Sequence, residues 1–106
     1  NPPAVLERVR DPFALAEVLA APRLAPSGDP CPASGRWLRK PLRSSGGHGV
    51  RFAGPGEAAS PHHYFQEFIH GVPMSAIFVD DTPLGATEQL IGEPWLHVGG
   101  FVYCGN

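Results

Sequence analysis

Proline and glycine interrupt this sequence so often that only short helices and strands fit between them. There are 13 of each among the 106 residues. Proline lacks a backbone N–H and glycine favours turns, so this content argues against a helical bundle. A chain of this length is one domain at most, with enough large apolar residues for a packed core. Short strands and loops are therefore expected to dominate the fold.

Two short helices are predicted near the N-terminus. The first runs from Pro3 to Arg10 and begins with a proline, which suits the first helical position. In the second, Asp11 occupies the N-cap position and Pro12 the first helical position. This second helix is expected to pack on a sheet through an apolar stripe at helical spacing, made of Leu15, Val18 and Leu19.

Most of the remaining chain alternates between strand-like segments and tight turns, which is typical of antiparallel sheets. The strand-like segments are Trp37 to Leu42, Val50 to Ala53, Tyr64 to Ile69, Met74 to Val79, Ala86 to Ile91 and Gly99 to Cys104. Met74 to Val79 is largely apolar on both alternating faces, so we expect an inner strand covered on both sides. Pro22 to Gly35, with four prolines and no periodicity, is predicted to be an irregular connection that is either shortened or mobile. The fold class is therefore predicted to be α+β, with a mostly antiparallel sheet.

A loop rich in glycine and serine, residues 44–49, separates the first two strand-like segments. Five of the chain's eight basic residues surround it, and no acidic residue occurs between Pro30 and Gly56. Three glycines within four positions permit positive φ angles, and successive free N–H groups can then form an anion-binding concavity. A phosphate-binding loop and a plain hairpin connection both fit these residues. The P-loop pattern is not present, because the lysine precedes the glycines.

Composition and charge narrow the function classes further. A formal net charge of −2 gives no general attraction to nucleic acid or to anionic lipid, so neither is expected as a partner. No apolar run approaches the roughly 20 residues that span a bilayer. Cys31 and Cys104 form no CxxC pair, and two free thiols in the cytoplasm or one disulfide are both compatible with them. The neighbouring His62 and His63 would point to opposite faces of a strand, which argues against joint metal binding.

Three segments together resemble the ATP-grasp superfamily: Leu38 to Phe52, Tyr64 to Val79 and Glu88 to Asn106. The likeness is greatest to carboligase-like members related to biotin carboxylase and phosphoribosylamine-glycine ligase. It implies a nucleotide held between two α+β subdomains, here residues 1–69 and the beginning of a second subdomain in residues 70–106. It further implies that ATP activates a carboxylate substrate, unidentified here, as an acyl phosphate that an amine or similar nucleophile attacks.

The resemblance also implies roles for individual residues. Lys40 matches the family lysine that contacts the nucleotide phosphates. Five loop residues match the mobile glycine-rich loop that closes over the phosphates, namely Ser45, Gly46, Gly47, His48 and Gly49. Four residues match the linker strand that recognises adenine, namely Gln66, Glu67, Phe68 and Ile69. His48 is equally compatible with a phosphate contact and with a position facing solvent.

Several features of the family pattern are missing from this sequence. Only Arg10 stands near the place of an earlier family lysine, and no carboxylate follows the linker strand to bind ribose. The acidic residue and the Glu-x-Asn pair that hold Mg²⁺ in the family do not occur either. We therefore expect either a partial ATP-grasp domain without its Mg²⁺ ligands or a degenerate, non-catalytic binding or interaction module. An exposed sheet edge also predicts self-association.

Overall fold

A computed structural model describes residues 2–106, which begin with two short helices. Helix α1 spans Pro3–Arg10 and helix α2 spans Pro12–Ala16. The side chain of Asp11 accepts a hydrogen bond of 2.9 Å from the backbone N–H of Phe13, so the predicted N-cap is confirmed. The expected apolar stripe is wrong, because α2 ends at Ala16 and Val18, beyond that end, is 75% exposed.

Seven short strands form three antiparallel sheets within the described residues. Their bounds are β1 Trp37–Pro41, β2 Arg51–Phe52, β3 His63–Glu67, β4 Met74–Val79, β5 Thr82–Glu88, β6 Leu90–Ile91 and β7 Tyr103–Gly105. The first sheet has the strand order β2-β1-β3, and the other two are the pairs β4-β5 and β6-β7. The predicted α+β class with mostly antiparallel strands is thus confirmed. The expected strand Ala86 to Ile91 is divided between β5 and β6.

The small core lies on one face of the first sheet. Its buried members are Ala25, Cys31, Trp37 and Phe65. Two of them come from the irregular stretch between Pro22 and Gly35, which is irregular as predicted but does more than connect. Ala25 donates its backbone N–H to the carbonyl of Phe65 at 3.0 Å, and so the stretch runs along the outer edge of β3. The expectation of a mobile connection therefore does not describe Ala25 and Cys31, which are only 3% exposed.

Strand β4 differs from its predicted environment. It pairs with β5 through a register that extends from Met74 opposite Glu88 to Val79 opposite Thr82. No other strand in residues 2–106 pairs with it, and Met74 and Phe78 are each 58% exposed. The prediction of an inner strand covered on both faces is therefore wrong for the described chain. Apolar side chains on both faces indicate a tendency to be covered, but they do not supply the covering layer.

The helices of residues 2–106 are too short to cross a lipid bilayer.

Candidate functional site

The first sheet separates its side chains into two faces with different roles. Leu38 lies opposite both Phe52 and Gln66, and Lys40 lies opposite Tyr64. Opposed residues of antiparallel strands project to the same side, whereas successive residues alternate. These five residues therefore define one face, which we call the cleft face. Their sequence neighbours, including Trp37 and Phe65, project to the other side, which we call the core face.

A cleft of about 360 Å³ lies over the cleft face. Its floor comes from β1, through Leu38 and Lys40, and one wall comes from the glycine-rich loop. The opposite end of the chain contributes Ile91 and Phe101, and Arg10 from α1 also lines the space. Residues distant in the sequence therefore enclose Lys40, which is the only lysine of the chain.

Lys40 holds a half-buried positive charge at the floor of this cleft. Its Nζ donates a hydrogen bond of 3.0 Å to Oε1 of Gln66 and lies 5.8 Å from the ring centroid of Tyr64. Burial lowers the pKa of Lys40 below the usual range of a lysine, because the charged form is poorly solvated there. No carboxylate of residues 2–106 lies within 4.0 Å of this ammonium group. The charge is therefore available to an anionic ligand.

The loop beside Lys40 has the backbone conformation that its glycines predict. Gly46, Gly47 and Gly49 all have positive φ, at 62°, 76° and 74°. Non-glycine residues adopt this region only with strain, so the sequence is fitted to this shape. The exposed ring of His48 uses its Nδ1 to contact the carbonyl of Ser45 at 3.1 Å, which is a contact within the loop itself.

The four residues of the predicted linker strand do not share one direction. Gln66 lies on the cleft face, where its side-chain oxygen accepts the hydrogen bond from Lys40. Glu67 lies on the core face, where two hydrogen bonds of 2.8 and 3.0 Å join it to Arg23. These bonds hold the pKa of the Glu67 carboxyl below its usual value. The backbone N–H of Glu67 also donates to the carbonyl of Arg23, at 2.9 Å, so Arg23 occupies both the side chain and the N–H of Glu67.

The other two linker residues lie at the end of β3. The ring of Phe68 packs edge-on against Phe52, with 5.1 Å between centroids, and so belongs to the cleft side of the sheet. Ile69 follows the last residue of β3 and is 54% exposed. The structure thus brings Gln66 and Phe68 to the side that carries Lys40, and it places Ile69 at the margin.

The basic residues around the loop do not form the single positive patch that their spacing suggests. Arg39 and Arg51 project to the core face, where both bind Glu57, with Arg39 Nε at 3.2 Å from Oε1. The hydrogen bonds from Arg51 hold the pKa of the Glu57 carboxyl below its usual value. Glu57 returns to these arginines after a tight turn at Gly54, whose carbonyl accepts its backbone N–H at 3.1 Å. Glu57 is the first acidic residue after the acid-free stretch. This position is the one feature of the sequence that could have indicated its ion pairs with the two arginines.

Arg36 is also unavailable as a simple anion-binding group. Its Cζ lies 4.3 Å from the ring centroid of Phe52 and 4.8 Å from that of Phe68. Such cation–π contacts attract the guanidinium to the two rings, which are inclined to each other by 70°. Of the five basic residues, Lys40 and Arg43 form no ion pair among the described residues and do not lie beside two aromatic rings. Of these two, only Lys40 lines the 360 Å³ cleft.

The residues present suit a phosphate-bearing nucleotide better than they suit Mg²⁺. A half-buried ammonium group beside successive positive-φ glycines is the combination that phosphate oxygens require. In contrast, residues 2–106 contain no cluster of three or more His, Cys, Asp or Glu side chains arranged to hold a metal ion. Mg²⁺ in nucleotide sites is usually bound by one or two carboxylates together with the phosphates of the substrate.

Comparison with protein families gives one match, and it covers most of the chain. The model of the ATP-grasp domain family matches residues 13–106. Neither the curated proteins nor the solved structures contain a match. The matched range includes α2 except for its first residue, all three sheets, and the cleft lining apart from Arg10 and Pro12.

Proposed function

This chain belongs to the ATP-grasp family of ATP-dependent ligases, and from that premise we propose that it is the ATP-binding part of a carboxylate ligase. In the proposed reaction, the carboxylate is activated as an acyl phosphate, which an amine or a similar nucleophile then attacks. The proposal assigns residues 1–69 to the first subdomain and residues 70–106 to the beginning of the second. The cleft between Lys40 and Phe101 would then lie where the two meet.

The single observation that carries the proposal is the position of Lys40. Its ammonium group is half-buried on the cleft floor, next to the glycine-rich loop and without a carboxylate partner in residues 2–106. Placing a charge there is unfavourable unless an anion completes its coordination. The N–H of His48 donates to the carbonyl of Ser45 within the loop. The other backbone N–H groups of residues 45–49 would bind the remaining phosphate oxygens, and the loop would exclude water from the reactive intermediate.

The adenine ring is proposed to lie along the end of β3. The N–H groups of Glu67 and Phe68 already donate to the carbonyls of Arg23 and Arg36. The backbone at Ile69 would therefore read the base edge, while Phe68 and the apolar floor at Leu38 would contact its ring face. Gln66 keeps its two amide donors after its oxygen has accepted the bond from Lys40. Its role is therefore to fix the ammonium group of Lys40 and to donate to the ligand.

No step of the proposed reaction is assigned to Mg²⁺, because the described residues do not provide its ligands. That observation favours a second candidate function, a non-catalytic module that keeps the ATP-grasp scaffold for binding or interaction. The two candidates differ in one respect that can be measured. The ligase part binds nucleotide through Lys40 and the loop together, whereas a module without a nucleotide role has no reason to retain this coupling.

The test is a titration of the chain with ATP, inorganic triphosphate and adenosine, followed through backbone amide shifts by NMR. ATP is expected to shift residues 45–49 and 66–69 together, and Lys40→Met is expected to weaken binding. Arg8→Ala is the matched control, since it removes one positive charge from exposed helix α1, away from the cleft. Shifts by triphosphate alone that spare residues 66–69 would indicate a general anion site. No shifts at saturating ligand would favour the non-catalytic module.

A further inference from the structure

Phe101 is in contact with both parts of the proposed nucleotide site. It lies before β7 and lines the cleft together with Lys40 and the glycine-rich loop. Its ring centroid is 5.2 Å from that of Phe52 and 6.4 Å from that of Phe68. One residue from the end of the chain thus joins the aromatic side chains of β2 and the linker strand.

The backbone of Phe101 also contacts the glycine-rich loop. A Cβ atom placed on Gly47 would overlap the carbonyl oxygen of Phe101, so the loop approaches this segment more closely than any other residue type allows. Two residues later, the backbone N–H of Tyr103 donates to the carbonyl of Gly46 at 2.9 Å. The close approach fixes the position of Gly47, and the hydrogen bond fixes that of its neighbour Gly46.

The segment that carries Phe101 is itself held in place. The backbone N–H of Gly92 donates to the carbonyl of Val102 at 2.9 Å, and a Cβ on Gly92 would overlap the carbonyl oxygen of Gly100. The chain therefore returns tightly on itself between β6 and β7. The side chain of Phe101 projects from this return and packs against the rings of Phe52 and Phe68.

We infer that Phe101 is a positioning residue that holds the glycine-rich loop over the cleft and connects the loop to the base-reading end of β3. The assignment of ligands to the loop rests on the proposed function, whereas the contact itself does not. A base that displaces the ring of Phe101 would also move the backbone that contacts Gly47. Binding of the base at the end of β3 would in this way change the position of the glycine-rich loop. Phe101 acts through the loop and takes no part in the chemistry.

The test measures amide hydrogen exchange at Tyr103, whose N–H reports the closed contact directly. Gly47→Ala and Phe101→Ala are expected to raise this exchange rate at least about tenfold by opening the local structure. The reference amides are Cys31 and Ala53, which donate to Glu57 and Trp37 in and beside the core and should not change. Exchange that rises equally at the reference amides would indicate a loss of the whole fold.

Gly46→Ala is the matched control for Gly47→Ala. Both glycines have positive φ, but a Cβ on Gly46 would meet only the ring of His48, at 3.4 Å, and the carbonyl that binds Tyr103 is retained. We expect this variant to leave Tyr103 exchange within a small factor of the wild-type rate. Phe101→Leu keeps most of the apolar volume and should restore much of the protection lost in Phe101→Ala.

A second readout is the affinity for inorganic triphosphate, which should fall several-fold in Phe101→Ala as the loop loses its position. Rapid Tyr103 exchange in the wild type, or no change in either Phe101→Ala or Gly47→Ala, would overturn the inference. If the wild type protects Tyr103 but binds no triphosphate or ATP, the proposed function fails and the positioning role stands. If ATP binds while the Tyr103 amide exchanges freely, the positioning role fails and the proposed function stands.

Discussion

The ammonium group of Lys40 and the side-chain oxygen of Gln66 are joined by a hydrogen bond of 3.0 Å between strands β1 and β3. Gln66 is a neutral acceptor, so it orients the ammonium group without cancelling its charge. The chain has thus placed its only lysine in a half-buried position with no acidic partner among residues 2–106. An unpaired, half-buried charge does not stabilise the fold. The contribution of Lys40 to ligand binding can therefore be measured separately from its contribution to stability.

The first prediction is that Lys40→Met weakens nucleotide binding without weakening the fold. Loss of a charge-assisted hydrogen bond of about 1.5–3 kcal/mol to a phosphate reduces affinity about 10- to 150-fold. Met retains the apolar stem and removes a poorly solvated charge, so the free energy of unfolding should be equal to or greater than that of the wild type. Calorimetric titration with ATP and thermal unfolding check both parts. A variant that unfolds more easily and binds ATP normally would show that Lys40 is structural.

The second prediction concerns pH and the reactivity of the lysine amine. The folded pKa of Lys40 is lowered by burial, so the fold disfavours the charged form. The resulting loss of stability is present below the folded pKa and disappears as the pH rises towards the unfolded value near 10.5. The difference in unfolding free energy between Lys40→Met and the wild type should therefore shrink across this alkaline range.

The same lowered pKa makes Lys40 more reactive than an exposed lysine towards amine-directed reagents, because more of it is neutral at a given pH. Bound ATP should slow this reaction, because its negative phosphates stabilise the protonated amine and cover it. Since the chain has one lysine, mass spectrometry after peptide cleavage reports Lys40 separately from the terminal amine. Labelling at an unchanged rate in saturating ATP would place the phosphates elsewhere.

The third prediction is that Glu57→Gln destabilises the protein and makes it less sensitive to acid. Glu57 binds Arg39 and Arg51 and accepts the backbone N–H of Gly54 at 3.1 Å. We expect a loss of about 1 kcal/mol, less than hydrogen bonds to a charged group usually contribute, because Arg51 is half-exposed and solvent screens the pair. The folded pKa of Glu57 is lowered, so its contribution is present above the unfolded value near 4.5 and is lost as the pH falls through the folded value.

Unfolding curves at several pH values from neutral to acid would measure this contribution. The wild type and Glu57→Gln should differ most at neutral pH and converge in acid. A matched comparison is Glu7→Gln on the exposed surface of helix α1, where no such convergence is expected. A constant difference between wild type and Glu57→Gln at all pH values would contradict an electrostatic origin.

The fourth prediction concerns the exposed β4-β5 hairpin. Ile77 and Phe78 of β4 are 50% and 58% exposed, in a strand that pairs on one side only within the described chain. Sedimentation velocity at increasing concentration should reveal self-association, since exposed apolar strand edges pair readily. Ile77→Ser combined with Phe78→Ser should reduce it at little cost to the fold. A monomer at all concentrations would remove the prediction.

Local interactions account for the parts of the fold that the sequence predicted. The Asp11-Pro12 start of α2 and the positive φ angles of Gly46, Gly47 and Gly49 depend on a few consecutive residues. The alternation that places Phe52 and Arg51 on opposite faces is equally local. These features need no knowledge of distant contacts, and the order of the strand-like segments followed from the same signals.

The errors arose where distant residues determine the outcome. The acid-free stretch suggested one positive patch, but the turn at Gly54 brings Glu57 back to two of its arginines. The guanidinium of Arg36 lies beside two aromatic rings that are distant in the sequence, Phe52 in β2 and Phe68 just after β3. The role of Phe101 likewise depends on a return of the chain that no periodicity indicates. For the candidate site, the sequence therefore identified Lys40 and its loop but not their surroundings.

The first sheet has a packed core on only one of its two faces. Trp37 and Phe65 are 7% and 4% exposed on the core face. On the cleft face Leu38 is also only 7% exposed, but Phe52 is 42% exposed, so that face is only partly covered. A nucleotide in the cleft would therefore act as part of the hydrophobic interior, covering the second face as a side-chain layer does in other proteins. At a ligand concentration 100 times the dissociation constant, such linkage adds about 2.7 kcal/mol to the folded state. The melting temperature of the chain would then serve as a gauge of the nucleotide concentration around it.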